Sequence, residues 1–445
     1  MTNKRIIILG AGISGLTYAY YLKKFQPQID ITILESSSRS GGVVFSEIVE
    51  DCVYEWGPRG VRPNGKGQLV LELVEELGLW EELVFADDKA KKRYLYHDGK
   101  LQVLPYSVVS FLQSPYRSIF FKAFWRALRA SKRKGDESVA DFADRHFGEA
   151  FRSLFLDSLV SGVWAGDVEK MSVSATFPLL KKLEQKKGSL IKSFFTHKPE
   201  LFDVKQYSKK VTSKALFSFK DGLQVLTNKL RDVLCDHIVY DVNMNQIQYS
   251  DEVKVSAGDS VYIADRLVST IPSYQLSRFV SSDLAKVLNS IPYAPVAVLN
   301  FILPDSFLDF DGFGFLVPSQ EKSVVLGMVA NSNTFPDQGK SEKSVYTVMM
   351  GGARYSVDDL KSLDLQKEAH SFLQRVFGKH IPAEAEELMF IEKAIPQYEL
   401  EHVAKVNDVE LASPQNITIL GNYMYGVSLI DIIAKSKDLA EQSVT

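Results

Sequence analysis

The stretch Ile6-Ile7-Ile8-Leu9-Gly10-Ala11-Gly12-Ile13-Ser14-Gly15 constrains this chain more than any other. Four consecutive apolar residues suit one buried parallel strand, and Thr17, Ala19, Tyr20, Leu22 and Lys23 continue beyond the glycines as an amphipathic helix. In such a turn the first glycine permits the tight bend, the second lets a pyrophosphate reach the backbone, and the third lets helix and strand pack closely. Free N–H groups at the helix N-terminus then face the phosphates. An ordinary glycine turn would satisfy the motif alone, so its context decides. Ile29, Ile31, Ile33 and Leu34 predict a second strand ending in Glu35, about 20 residues past Gly15, the spacing of a carboxylate on a ribose hydroxyl. No second G-x-G-x-x-G occurs, so a nicotinamide half-site is not supported.

At 445 residues the chain exceeds a single core of about 250–300 residues, which predicts two or three domains. Its 45% hydrophobic and 24% charged content is that of a soluble-type globular protein. A net charge of −3 gives no basic field for nucleic acid. Cys52 and Cys235 form no C-x-x-C and read as buried spectator thiols rather than a redox, zinc or disulfide site. No signal-peptide core precedes Gly10 and no apolar run approaches the ~20 residues of a membrane span. The expected location is the cytoplasm, with attachment to a membrane surface open.

Arg39-Ser40-Gly41-Gly42 follows Glu35 closely, and this R-x-G-G resembles the flavoprotein superfamily that includes the amine oxidases. Glu55-Trp56-Gly57-Pro58-Arg59-Gly60-Val61-Arg62-Pro63, with Arg93-Tyr94-Leu95-Tyr96 running to Leu101 and Leu104-Pro105, resembles more narrowly the oxygen-dependent, FAD-containing protoporphyrinogen oxidase family. Ser158 to Asp167, Gly312 to Ser319 and Ile395-Pro396-Gln397-Tyr398 match further segments of it. The likeness runs from Lys4 to about Ala440 and omits the basic stretch 181–214. The related bacterial coproporphyrinogen III oxidases share its FAD parts.

The resemblance implies an α/β and α+β architecture: a Rossmann-like, p-hydroxybenzoate-hydroxylase-like FAD domain, an antiparallel-sheet substrate domain and a helical membrane-binding domain. The FAD domain would comprise residues 1–88, 211–275 and 408–445, the helical membrane and channel domain 89–210, and the substrate domain 276–407. FAD contacts would fall on Gly10, Gly12, Ile13, Ser14, Gly15, Glu35, Ser36, Arg39, Gly41 and Gly42, and on Gly57, Pro58, Arg59 and Gly60. Later ones would be Val239, Thr270, Gly421, Val427 and Leu429. Gly421-Asn422-Tyr423 departs from the Gly–acid pair common in the wider superfamily, which leaves the ribityl contact in question.

At the reacting end, Arg93 would pair with a propionate, Phe313 and Leu316 would sandwich the macrocycle, and the Gly162 carbonyl would lie near the reacting methylene. The implied activity is the six-electron oxidation of protoporphyrinogen IX in heme biosynthesis, with oxygen reoxidising the flavin. Coproporphyrinogen III is the alternative substrate; a flavin amine oxidase and a non-catalytic dinucleotide-binding protein at a membrane surface are the other readings. No acid–base dyad is required, and the scattered histidines read as structural or solvated. Homodimerisation stays open.

Between Pro105 and Lys134, Phe111, Phe120, Phe121, Phe124 and Trp125 are interleaved with seven basic residues and no acidic one. Such a helix suits a lipid interface on the inner face of the cell membrane; a helix buried on another domain with a solvated basic face is the plainer alternative. Further on, apolar runs at 296–303, 324–329 and 345–350 predict antiparallel strands and 365–377 a helix. A last helix enters through Gly426 to Asp431.

Overall fold

The computed structural model describes residues 4–187, 190, 216–305, 307–339 and 342–443. Its first sheet is parallel and five-stranded, in the order Ile417–Ile419, Arg266–Ser269, Arg5–Leu9, Asp30–Leu34, Ile238–Val239. Three distant parts of the chain therefore build one sheet. The cause lies in strand periodicity: Ile6 and Ile8 enter the core on one face, Ile7 and Leu9 that on the other. A strand apolar on both faces needs cover on both sides, and parallel pairing with helices supplies it.

Helix Ile13–Phe25 is less amphipathic than its sequence suggests, since Leu16, Thr17, Tyr18, Ala19, Tyr21 and Leu22 are all buried. The last helix, Leu429–Gln442, explains this. Ser436 Oγ donates to Ser14 O at 3.3 Å and Tyr18 Oη lies 3.0 Å from Ser443 Oγ. The two helices thus run in the same direction, and both N-termini face one end of the sheet. The hairpin expected through Gly258 joins strands Val253–Ala257 and Ser260–Ala264, and Met244–Tyr249 completes a three-stranded antiparallel sheet.

A seven-stranded sheet runs Ala385–Pro396, Tyr293–Pro304, Lys343–Gly351, Val325–Ala330, Gly314–Leu316, Arg93–His97, Lys100–Val103. It is antiparallel except where Gly314–Leu316 lies parallel to Arg93–His97. The hairpin 93–103 thus belongs to this sheet rather than to the helices that follow it, because its edge N–H and C=O groups pair there. Helix Leu365–Phe377 covers one face, with the Phe372 ring 5.0 Å from Tyr96.

The helical region contains Val108–Gln113, Arg117–Arg129, Val139–His146 and a nearly continuous run from Glu149 to Trp164 with a π-helical turn at Arg152–Leu156. Two expectations need correction. Phe120 does not face outward: its ring lies 4.8 Å from Phe155, tilted, and 5.9 Å from Phe111, edge to face. Cys52 is buried, but Cys235 is exposed, because it opens the surface turn after helix Gln224–Val233. Helix Pro178–Lys187 is the described part of the basic middle segment; the rest of 181–214, Leu190 aside, lies outside the described residues.

Candidate active site

The glycine turn forms a groove at the C-terminal ends of the parallel strands. Gly10 N donates to Leu34 O at 2.8 Å, and a Cβ on Gly15 would stand 2.1 Å from Gly10 O. Helix Ile13–Phe25 begins with Gly12 as N-cap and no side-chain acceptor there, which leaves its first N–H groups for a bound anion. The Glu35 carboxylate, carried at the end of its strand, accepts from Ala11 N at 2.7 Å and from Ser37 N at 2.9 Å. Ser36 contributes only a long contact, 3.4 Å, to the same carboxylate. Val239 O accepts from Glu35 N at 2.9 Å, which places Val239 beside Glu35.

The R-x-G-G segment sits directly on this turn. Gly41 N donates to Ala11 O at 2.9 Å, with Gly41 at φ +108°, a backbone that L side chains rarely adopt. The Arg39 guanidinium lies 4.2 Å over the Phe45 ring and donates to Gly42 O at 3.1 Å. Thr270 is beside Gly10, but its hydroxyl is spent on Leu9 O at 2.7 Å. Gly57, Pro58, Arg59 and Gly60 form the next turn. Arg59 reaches Gly57 O and Glu55 O only at 3.4 Å, and its Nε has no partner. Burial pushes that guanidinium down to about 10. An orphaned buried donor beside a groove of bare backbone fits the ring or phosphate oxygens of a flavin dinucleotide. Gly421 caps the short helix Asn422–Tyr425, and Val427 and Leu429 flank Ser428, whose hydroxyl accepts from Asp431 N to start the last helix. Ile13 and Ser14 open the first helix, and Ser14 O accepts from Ser436 Oγ of the last helix.

The four residues expected to meet substrate converge from three parts of the chain. Gly314 lies opposite Arg93 and Leu316 opposite Leu95. The Arg93 guanidinium is 4.8 Å from the Phe313 ring, and a Cβ on Gly162 would be 2.5 Å from Leu316 Cδ2. Phe313 and Leu316 are only partly buried, whereas Phe315 between them is the core residue. Arg93 stays open to solvent; desolvation by the surrounding wall, with the charge of Arg62, lowers its pKa.

Sequence reasoning missed what fixes Gly162. Asp157, buried at the start of helix Asp157–Trp164, accepts from Ser319 N at 2.7 Å and pairs with Arg354, which also reaches Asp167 at 3.3 Å. These residues tie the helix to the loop after Leu316, and single charged residues scattered through a sequence give no such signal. Three of the described histidines have structural partners: His370 lies 2.6 Å from Glu386, His146 is buried in an ion cluster, and His402 stacks on Tyr398 with burial pushing it down to about 4.

A family profile, flavin containing amine oxidoreductase, matches residues 13–394. Protoporphyrinogen oxidase of Homo sapiens is 33% identical, the match covering 98% of each chain. Coproporphyrinogen III oxidase of Staphylococcus aureus is 25% identical over 99% of each. A crystal structure from Exiguobacterium sp. 255-15, provisionally named protoporphyrinogen oxidase, aligns with TM-score 0.83 at 21% identity, covering 100% of this chain and 99% of that one. With its groove, its sheet and these likenesses together, the chain belongs to the flavin-containing amine oxidoreductase family, in the protoporphyrinogen oxidase branch.

Proposed function

We propose that this protein is an FAD-dependent oxidase of protoporphyrinogen IX, with molecular oxygen as acceptor, working at a membrane surface. The observation that carries the reading is the convergence of Arg93, Phe313, Leu316 and Gly162 on one partly open chamber wall. A porphyrinogen is a wide apolar ring with carboxylate arms, so it needs flat walls and a cation at the rim. Phe313 and Leu316 flank the ring, Arg93 takes a propionate in a bidentate pair, and Gly162 brings bare backbone against the macrocycle.

When bound, FAD supplies the hydride-accepting ring and passes the electrons to oxygen. The chain holds it through main-chain N–H groups of Gly12 to Gly15, the Glu35 carboxylate on its ribose, and Arg59. No protonatable dyad takes part. In this reading residues 1–88, 211–275 and 408–445 belong to the cofactor half, and 276–407, with the hairpin that carries Arg93, to the substrate half. The stronger likeness to protoporphyrinogen oxidase favours the dicarboxylate substrate over coproporphyrinogen III.

Membrane contact rests on helix Arg117–Arg129. Its Ala123 and Ala127 face inward, while Phe121, Phe124 and Trp125 are 61%, 43% and 46% exposed among Lys122, Arg126 and Arg129. Aromatic side chains left outward on a basic helix suit the headgroup region. No helix of the described residues is long and apolar enough to cross a membrane.

Anaerobic mixing with each porphyrinogen tests the chemistry. Protoporphyrinogen should bleach the bound flavin faster than coproporphyrinogen. The reverse order makes the tetracarboxylate the substrate, and bleaching by an amine alone sinks both.

A further inference from the structure

Glu55 is a charged side chain that neither the cradle nor the chamber uses, yet it is 2% exposed. It ends strand Cys52–Glu55, and both carboxylate oxygens are engaged. Oε1 accepts from Leu223 N at 2.7 Å, and Oε2 accepts from Ser46 Oγ at 2.8 Å. Ser46 Oγ in turn accepts from Gln224 N at 3.1 Å, while Ser46 N donates to Gln224 Oε1 at 2.8 Å. Leu223 is the N-cap of helix Gln224–Val233, and that helix has no side-chain cap of its own. Glu55 and Ser46 therefore supply the missing cap from 168 and 178 residues away.

The main chain of Glu55 is held as well. Its carbonyl accepts from Asn300 Nδ2 at 3.2 Å, on strand Tyr293–Pro304 of the substrate sheet, and lies 3.4 Å from Arg59 Nη2. Asn300 itself is buried and accepts from the Thr347 hydroxyl at 2.5 Å. The turn that follows Glu55 is the next layer of the cofactor groove. A Cβ on Gly57 would stand 1.9 Å from Val43 O, and one on Gly42 would stand 3.2 Å from Gly12 Cα. From Gly12 through Gly42–Val43 to Gly57, bare backbone is stacked on bare backbone, and the last layer has Glu55 as its anchor.

We infer that Glu55 is a positioning residue: its carboxylate clasps the second cofactor segment at Leu223 to the first at Ser46, and so holds the Trp56–Gly60 turn and Arg59 in register with the dinucleotide groove. A turn anchored at one end only would let Arg59 and Gly57 drift, and the groove would lose its shape without losing any group that touches the cofactor. The inference rests on the reading of the groove as an FAD site and is independent of the substrate.

The test compares Glu55→Gln, Glu55→Ala and Ser46→Ala in the full chain, by titrating FAD into the apoprotein and by amide hydrogen exchange at Leu223 and Gln224. Glutamine keeps both hydrogen bonds, accepting from Leu223 N–H and donating to Ser46 Oγ. Glu55→Gln should bind FAD within a few-fold of the parent, while Glu55→Ala should bind about tenfold or more weakly and exchange both amides faster. A generic packing defect would speed exchange across the surrounding core rather than at Leu223 and Gln224 alone. Should Glu55→Ala fail to fold, Ser46→Ala serves: it should speed exchange at Gln224 and weaken FAD severalfold. Parent-like FAD affinity and exchange in Ser46→Ala and in any Glu55→Ala that folds would overturn the role, as would Glu55→Gln binding as poorly as Glu55→Ala. Failure to oxidise a porphyrinogen would leave these binding results intact and count only against the proposed substrate.

Discussion

The dinucleotide groove and the helical region 108–187 put opposite things inside. Around the groove, Ile6 to Leu9, Ile31, Ile33 and Leu34 are buried, and chemistry is left to backbone and a few side chains. In the helical region the side chains of Glu137, Glu184 and His146 are fully buried, while Phe121, Phe124 and Trp125 lie outside. Buried charge is tolerated only when paired. Glu184 indeed meets Arg145 at 2.5 Å, His146 at 2.9 Å and Lys181 at 3.1 Å, and Glu137 meets Lys181 at 2.7 Å. Paired ions kept in and aromatic rings left out are the features on which the proposed lipid contact rests, whereas the groove presents backbone dipoles to a ligand.

The comparison breaks most sharply at Glu184. Replacing it by Ala takes the carboxylate from His146 and leaves Arg145 and Lys181 only Glu137 to share, and chemical denaturation should register a loss of about 3 kcal/mol. A loss below about 1 kcal/mol would mean that the cluster is ornamental. On the groove side, Gly15→Ala forces a Cβ against Gly10 O; we expect about 1–3 kcal/mol of destabilisation with loss of FAD from the purified protein. Arg93→Ala, at the chamber rim, should raise KM for the porphyrinogen about tenfold or more while FAD content stays full. A fall in kcat alone would place Arg93 elsewhere in the reaction.

The two buried carboxylates also separate the regions by pH. Burial raises Glu55 from 4.5 to about 7, against the opposing pull of Leu223 N–H, Ser46 and Arg59. Glu184 is lowered to about 2: desolvation acts against the shift, and hydrogen bonds from His146, Arg145 and Lys181 outweigh it. The folded state therefore binds Glu55's proton more tightly than the unfolded chain does, so that contribution is full below pH 4.5 and is lost as pH rises through about 7. Glu184's contribution is full above pH 4.5 and lost as pH falls toward about 2. Thermal melting across pH should show Glu55→Gln flattening the upper window only and Glu184→Gln the lower only. The smallest effect on folding is expected at the outer face: Phe121→Asp with Trp125→Asp should change stability by less than about 0.5 kcal/mol per site yet abolish flotation with anionic liposomes. Phe120 is the control, because Phe120→Asp should unfold the ring cluster at Phe111 and Phe155 instead.

Local chemistry made much of this legible in the sequence. Glycine spacing, a carboxylate at the end of the second strand and period-two apolar runs determined the dinucleotide groove, the parallel sheet and strands 293–304, 325–330 and 343–351, since each depends on neighbours in the chain. Family motifs marked Arg93, Phe313, Leu316 and Gly162 as residues of one chamber. Only the tertiary structure decided the rest. That Phe120 turns inward while Phe121 turns outward depends on what packs on each helix face. That Arg39 lies on Phe45, and that Thr270 spends its hydroxyl on Leu9, depends on contacts no spacing encodes. Glu55 is the clearest case. In sequence it is one acid among 55 Asp and Glu residues, and it becomes a cap only because folding brings Leu223 across 168 residues to meet it. Pairing of this kind is set by burial, which penalises any unsatisfied donor or acceptor, and burial is a property of the assembled molecule.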